Sequence, residues 1–241
     1  MKALCLPKPA EVSRAPRAAG PLLLCYVTDR GQFPGSAQEQ QERLLDKIAE
    51  CAAAGVDYIQ LREKDLSVRE LEDLAHRARA ALPAGSPARL LINSRLDVAL
   101  ACGAQGVHLP SRHLPASEVR AILSRAGMVR PVIGISVHSL EQTQLAEAHG
   151  ADFALFAPVF EKAGARNPAG LEELRRICHR PDAAVPPMPV LALGGVTLEN
   201  FSECIAAGAA GIAAIRLFQE NDARKVVKRL RGVRSAGRAA P

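Results

Sequence analysis

Four short segments of the chain echo one another: GVDYIQL from Gly55, GAQGVHL from Gly103, GADFALF from Gly150 and GAAGIAA from Gly208. In each, a glycine suited to ending a helix is followed within a few residues by a solid apolar run of strand length. Apolar runs of this kind at 22–28, 56–61, 90–93, 106–109, 132–136, 153–158, 190–193 and 211–215 are separated by stretches of 3.6-residue periodicity. Those stretches cover 38–54, 67–82, 96–102, a helix from about 117, then 140–149, 170–178, 198–207 and 223–230. Such alternation indicates βα units, and eight of them is the number that closes a (β/α)8 TIM barrel. An open doubly wound sheet is the weaker reading, because no G-x-G-x-x-G follows the first strand and the conspicuous glycines lie late.

At 241 residues the chain suits one large α/β domain with a substantial core. The expected organisation is a flexible basic tail over 1–21, a single barrel over 22–231 and a second flexible tail over 232–241. The net charge of +6 is unevenly placed: residues 1–21 carry +3 and residues 224–241 carry +7, which leaves −4 between them. The expected body is therefore acidic, which argues against a specific nucleic-acid surface on it. Two tyrosines and no tryptophan also argue against base stacking. No apolar stretch is long enough to span a membrane, and the proline-punctuated start lacks the apolar core of a secretory signal. Six cysteines without close CxxC spacing read as reduced thiols, and the expected location is cytoplasmic.

In a (β/α)8 barrel the site forms beyond the carboxyl ends of the strands. The residues there are Gln60, Arg62 and Lys64 after the second strand, Asn93 and Ser94 after the third, and His108 with Ser111, Arg112 and His113 at the fourth. Ser136 and His138 follow the fifth strand, Glu161, Lys162 and Arg166 the sixth, Gly194 and Gly195 the seventh, and Ile215 and Arg216 the eighth. This cationic rim suits an anionic small molecule, above all a phosphate ester. The glycine pair removes side chains where a ligand could approach backbone amides, so the seventh and eighth strand ends would form a phosphate cup. The bland alternatives are a plain tight turn at Gly194-Gly195, pairing of Arg62 with Glu63 or Asp65, a solvated Lys64, and a core role for His108. His138, next to the helix cap expected at Ser139, is the best-placed general acid/base, since an imidazole can take and return a proton near neutral pH. Asp29 and Asp97 form no carboxylate pair at a strand end, and His108 with His113 finds no third ligand, so neither magnesium nor zinc is expected from the residues themselves.

The segments YIQLREKDL, LLINSRLDVALACGAQGVHL, IGISVHSLEQTQLAEAHGADFALFAPVF and PVLALGGVTLENFSECIAAGAAGIAAI, in this order over roughly 22–220, resemble the thiamine phosphate synthase / TenI family. The resemblance implies a (β/α)8 barrel handling the phosphorylated thiazole half of thiamine. Its synthase branch joins hydroxymethylpyrimidine diphosphate to thiazole phosphate with magnesium. That branch's diphosphate motif falls on Gln60, Arg62 and Lys64, and its Asn-Asp pair falls on Asn93 and Ser94. Its acidic segment after the fourth strand is replaced by Pro110, Ser111, Arg112 and His113, and its threonine-rich loop after the sixth by EKAGARN.

The TenI branch aromatises a thiazole tautomer, and its SVHSLEE segment, matched by SVHSLEQ, places the catalytic histidine on His138. Arg216 stands where both branches carry serine. The expectation is a tautomerase with His138 catalytic and no cofactor. Gln60, Arg62, Lys64, Asn93, Ser136 and Arg166 would bind substrate, and Gly194, Gly195, Ile215 and Arg216 the phosphate. The runners-up are a magnesium-dependent synthase and a non-catalytic barrel that binds a thiazole phosphate or regulates a partner. A phosphorylated thiazole is the expected partner, and a homodimer is compatible with the fold.

Overall fold

The computed structural model describes residues 22–160, 170–180 and 187–236. The strands are β1 (Leu23–Val27), β2 (Tyr58–Leu61), β3 (Arg89–Asn93), β4 (Gly106–Leu109), β5 (Val132–Val137), β6 (Phe153–Phe156), β7 (Val190–Ala192) and β8 (Gly211–Ala214). All pair in parallel, in sequence order, and the barrel closes where Tyr26 of β1 lies beside Ala214 of β8. The helices are α1 (Ala37–Ala54), α2 (Val68–Ala81), α3 (Leu96–Ala101), α4 (Ala116–Arg125), α5 (Leu140–Ala148), α6 (Gly170–Cys178), α7 (Phe201–Ala206), α8 (Arg216–Gln219) and α9 (Ala223–Ala236). The (β/α)8 expectation therefore holds.

Local chemistry starts several of these helices. Ser36 and Glu39 form a reciprocal capping box on α1, as do Ser67 and Glu70 on α2, which satisfies amides that have no partner within the helix. Ser139 caps α5 by accepting from the Gln142 amide at 3.3 Å. α7 opens at Phe201, three residues later than its periodicity predicts. The Asn200 side chain holds the Thr197 amide and the Gly195 carbonyl, so the preceding residues form a turn instead. The one-turn α8 has too few residues to show a period. α9 continues to Ala236, past the boundary expected at 231, while residues 1–21 and 237–241 lie outside the described residues.

Alternation along the strands divides the core in two. One set of side chains, including Tyr26, Ile59, Ile92, Ile133 and Ile212, points outward and packs under the helices. The other set, including Cys25, Leu91, Phe153, Leu155 and Leu191, fills the barrel interior. Tyr58 stacks on Phe153 with ring centroids 4.5 Å apart and closes the N-terminal end. Gly134 makes room for this filling, since a Cβ there would lie 2.5 Å from the Phe153 ring and 2.7 Å from His108 Nδ1. The interior is thus plugged at one end, and its large cavity lies where the strands finish.

Candidate active site

A cavity of about 1110 Å³ occupies the C-terminal mouth of the barrel. It brings together Gln60, Arg62, Lys64, Asn93, Ser136, His138, Gly194, Gly195, Ile215 and Arg216, all expected to line the site. Arg166, Glu161 and Lys162 lie outside the described residues. The members come from β2, β3, β5, β7 and β8 because, in a closed parallel barrel, every strand delivers its last inward residue to the same rim.

The floor of the cavity is neutral. Gln60 Nε2 donates to Asn93 Oδ1 at 2.9 Å, and Asn93 Nδ2 donates to Ser94 Oγ at 3.1 Å. His108 is only 1% exposed, and its Nε2 lies 2.9 Å from Ser136 Oγ. Burial, with Arg62 adding to it, pushes its pKa down to about 3, so the ring carries no charge at ordinary pH. It is a core histidine bonded to a serine and a poor candidate for proton exchange.

His138 differs in exposure and in hydrogen-bond partner. It is exposed at the end of β5, and its ring Nδ1 lies 2.7 Å from the Ala157 carbonyl oxygen. A carbonyl only accepts, so Nδ1 carries the hydrogen and the neutral ring has its lone pair on Nε2. The His138 backbone amide donates to Gln142 Oε1 at 2.8 Å, so the loop bearing the ring is held from both sides.

At the opposite rim, Gly194 and Gly195 have φ of +96° and +66°, a conformation that side chains resist. A Cβ on Gly194 would also lie 2.9 Å from Pro158 Cα. The amides of Gly194, Gly195 and Ile215 make no hydrogen bond within the described residues, and Arg216, opening α8, has no intrahelical acceptor for its own amide. Free amides at a concave rim are donors for an oxyanion. The end of β8 is steadied from β1, since Gln219 Oε1 accepts from the Asp29 amide and Gln219 Nε2 donates to the Asp29 carbonyl, both at 3.1 Å.

A magnesium diphosphate site needs clustered carboxylates. Among the described residues no group of three His, Cys, Asp or Glu could hold a metal. The cavity's carboxylates, Asp29, Glu199 and Glu220, sit on three separate loops, and Asp29 Oδ2 already accepts from Gln32 Nε2 at 2.6 Å. Ser94 has φ of +63°, a left-handed position that Asp and Asn occupy more readily than Ser. The donor set does not fit the ion.

Reading the residues alone missed a cluster beneath the rim. Arg30 donates to Glu63 and Asp65, and Thr28 Oγ1 bridges Glu63 and the Arg62 amide. The only sequence signal was the alternating charge of Arg62-Glu63-Lys64-Asp65, which shows that the acids need partners but does not name them.

A closed parallel barrel whose C-terminal mouth carries amides and cations without carboxylate partners among the described residues defines a (β/α)8 protein built for a small phosphorylated ligand. The family model described as thiamine monophosphate synthase matches residues 24–218, and the chain belongs to that family, TMP-TENI. Among its curated relatives, "Putative thiamine-phosphate synthase 2" of Aquifex aeolicus is 40% identical over 199 residues, covering 82% of this chain and 97% of that protein. A "Putative thiamine-phosphate synthase" of Geobacter sulfurreducens is 41% identical over 195 residues, covering 80% and 84%. The solved structure "Thiamine phosphate pyrophosphorylase from Pyrococcus furiosus" superposes with a TM-score of 0.70 at 30% identity, covering 89% of this chain and 96% of that one. No helix among the described residues is long and apolar enough to cross a membrane.

Proposed function

We propose that this enzyme of thiamine biosynthesis is a thiazole tautomerase, converting a non-aromatic carboxythiazole ethyl phosphate into its aromatic isomer by proton transfer. The observation that carries the reading is His138 at the mouth, with Nδ1–H committed to the Ala157 carbonyl and no partner for its Nε2 among the described residues. Nε2 takes the proton from ring C2. The electron pair left behind moves into the ring as the exocyclic double bond shifts inward, and the imidazolium returns a proton to the exocyclic carbon. No proton is gained or lost overall. The Ala157 carbonyl stabilises the transient imidazolium, because it accepts from the nitrogen that stays protonated throughout.

Arg62 and Lys64 face the substrate carboxylate, whose charge would otherwise oppose carbanion formation beside it. The amides of Gly194, Gly195, Ile215 and Arg216, with the Arg216 guanidinium, hold the phosphate and fix the ring relative to His138. Ser136, already bonded to the neutral His108, and Asn93 with Gln60 supply polar contacts to the ring face.

The synthase is the second reading, and the relatives' names weigh for it more than for the tautomerase. Against it stands a mouth without a magnesium-binding carboxylate set among the described residues. One experiment separates the two. The protein is incubated with hydroxymethylpyrimidine diphosphate, thiazole phosphate and magnesium while thiamine phosphate is followed, and in parallel with the carboxythiazole tautomer while aromatic absorbance is followed. Acceleration of the second reaction alone is expected. Robust magnesium-dependent thiamine phosphate formation overturns the tautomerase in favour of the synthase.

A further inference from the structure

Arg62 and Lys64 alternate with Glu63 and Asp65, so a loop left to itself would present an anion with no net charge. The structure separates the two signs. Arg62 and Lys64 line the cavity, whereas Arg30, Glu63 and Asp65 do not. Glu63 is 5% exposed: its Oε1 accepts from Thr28 Oγ1 at 2.5 Å, and its Oε2 accepts from the Arg30 amide at 3.0 Å and from Arg30 Nη1 at 3.1 Å. Asp65 is held by the same guanidinium in a two-pronged fork, Nη1 to Oδ1 at 2.7 Å and Nη2 to Oδ2 at 2.6 Å. One arginine, itself 8% exposed, therefore takes both acids of the segment.

We propose that Arg30 is a positioning residue of the anion site: by holding Glu63 and Asp65 outside the cavity lining, it leaves Arg62 and Lys64 uncompensated toward the cavity. No carboxylate among the described residues pairs with either cation. The device also sets the backbone, because Thr28 Oγ1, which donates to Glu63, accepts from the Arg62 amide at 2.9 Å. When the Arg30 guanidinium is lost, buried Glu63 keeps two donors, the Thr28 hydroxyl and the residue-30 amide, whereas Asp65, on an exposed turn, loses both of its side-chain partners and is the acid that turns to the cations. The inference rests on the proposed anion site but names a residue that never touches the ligand.

The test is calorimetry of inorganic pyrophosphate, without metal, on the full chain and three variants. Arg30→Met is expected to weaken binding about tenfold, because the freed Asp65 offsets the cations at close range. The triple variant Arg30→Met, Glu63→Gln, Asp65→Asn is expected to recover binding to within about twofold of the parent, since no acid remains to be sequestered. Arg62→Met is expected to weaken binding as well. Full recovery in the triple variant separates charge sequestration from a purely structural role, which neutral glutamine and asparagine would not restore. If Arg30→Met leaves binding unchanged while Arg62→Met weakens it, or if the triple variant stays weak, the role given to Arg30 is wrong and the anion site stands. If Arg62→Met has no effect, the anion site itself is misplaced and the role of Arg30 falls with it.

Discussion

At the N-terminal end of the barrel, Arg120 commits its guanidinium to the Pro131 and Gly150 carbonyls and the Asp152 carboxylate, at 2.7 to 2.9 Å. At the C-terminal end, Arg62, Lys64 and Arg216 line a cavity with no carboxylate partner among the described residues. The contrast extends to packing and backbone. The lower end is plugged by the Tyr58–Phe153 stack, and at the upper end the Gly194, Gly195 and Ile215 amides have no acceptor among the described residues. Groups that a stability-driven structure would pair are left unpaired where a ligand can pair them, and the paired end supports the rigidity that holds them there.

The largest effect expected from breaking this contrast lies at the plug. Phe153→Ala removes a fully buried ring and should lower unfolding free energy by about 3 to 5 kcal/mol in urea titrations. A loss below about 1 kcal/mol would mean that the lower end is not the packed support it is taken to be.

Next comes the proton-transfer group. His138→Asn should slow aromatisation, after subtraction of the spontaneous reaction, by at least about 100-fold with little change in phosphate-ligand affinity. His108→Asn, at the neutral buried ring, should cost stability more than turnover. If the His108 variant is dead and the His138 variant active, the base belongs to β4. If neither variant matters, the barrel binds its ligand without catalysis.

The smallest effect is expected at the phosphate rim. Gly195→Val forces a branched side chain into φ of +66° and should weaken a thiazole phosphate about tenfold or more, with its dephosphorylated analogue much less affected. Equal losses for the two ligands in calorimetry would detach the rim from phosphate recognition and leave only a folding defect.

The eight units, the (β/α)8 closure and nearly every rim position were legible in the chain, because hydrophobic period and turn glycines are local properties and each strand end of a barrel faces one mouth. The short α8 and the late start of α7 were not, since one turn has no period and Asn200 competes for the backbone through its side chain. The fate of each polar group was likewise decided only in three dimensions. Arg62 could as well have paired with its own neighbours. Among the described residues it has no carboxylate partner, and Glu63 and Asp65 are instead bonded by Arg30, more than thirty residues away in the chain. Between His108 and His138, the second already reads as the better base from its place beside the Ser139 cap, but the sequence does not give the surroundings of either ring. Burial beside Ser136 silences one, and the Ala157 carbonyl 19 residues away sets the tautomer of the other. Ionisation, tautomer and pairing depend on desolvation and on partners distant in sequence, so they exist only once the barrel has closed.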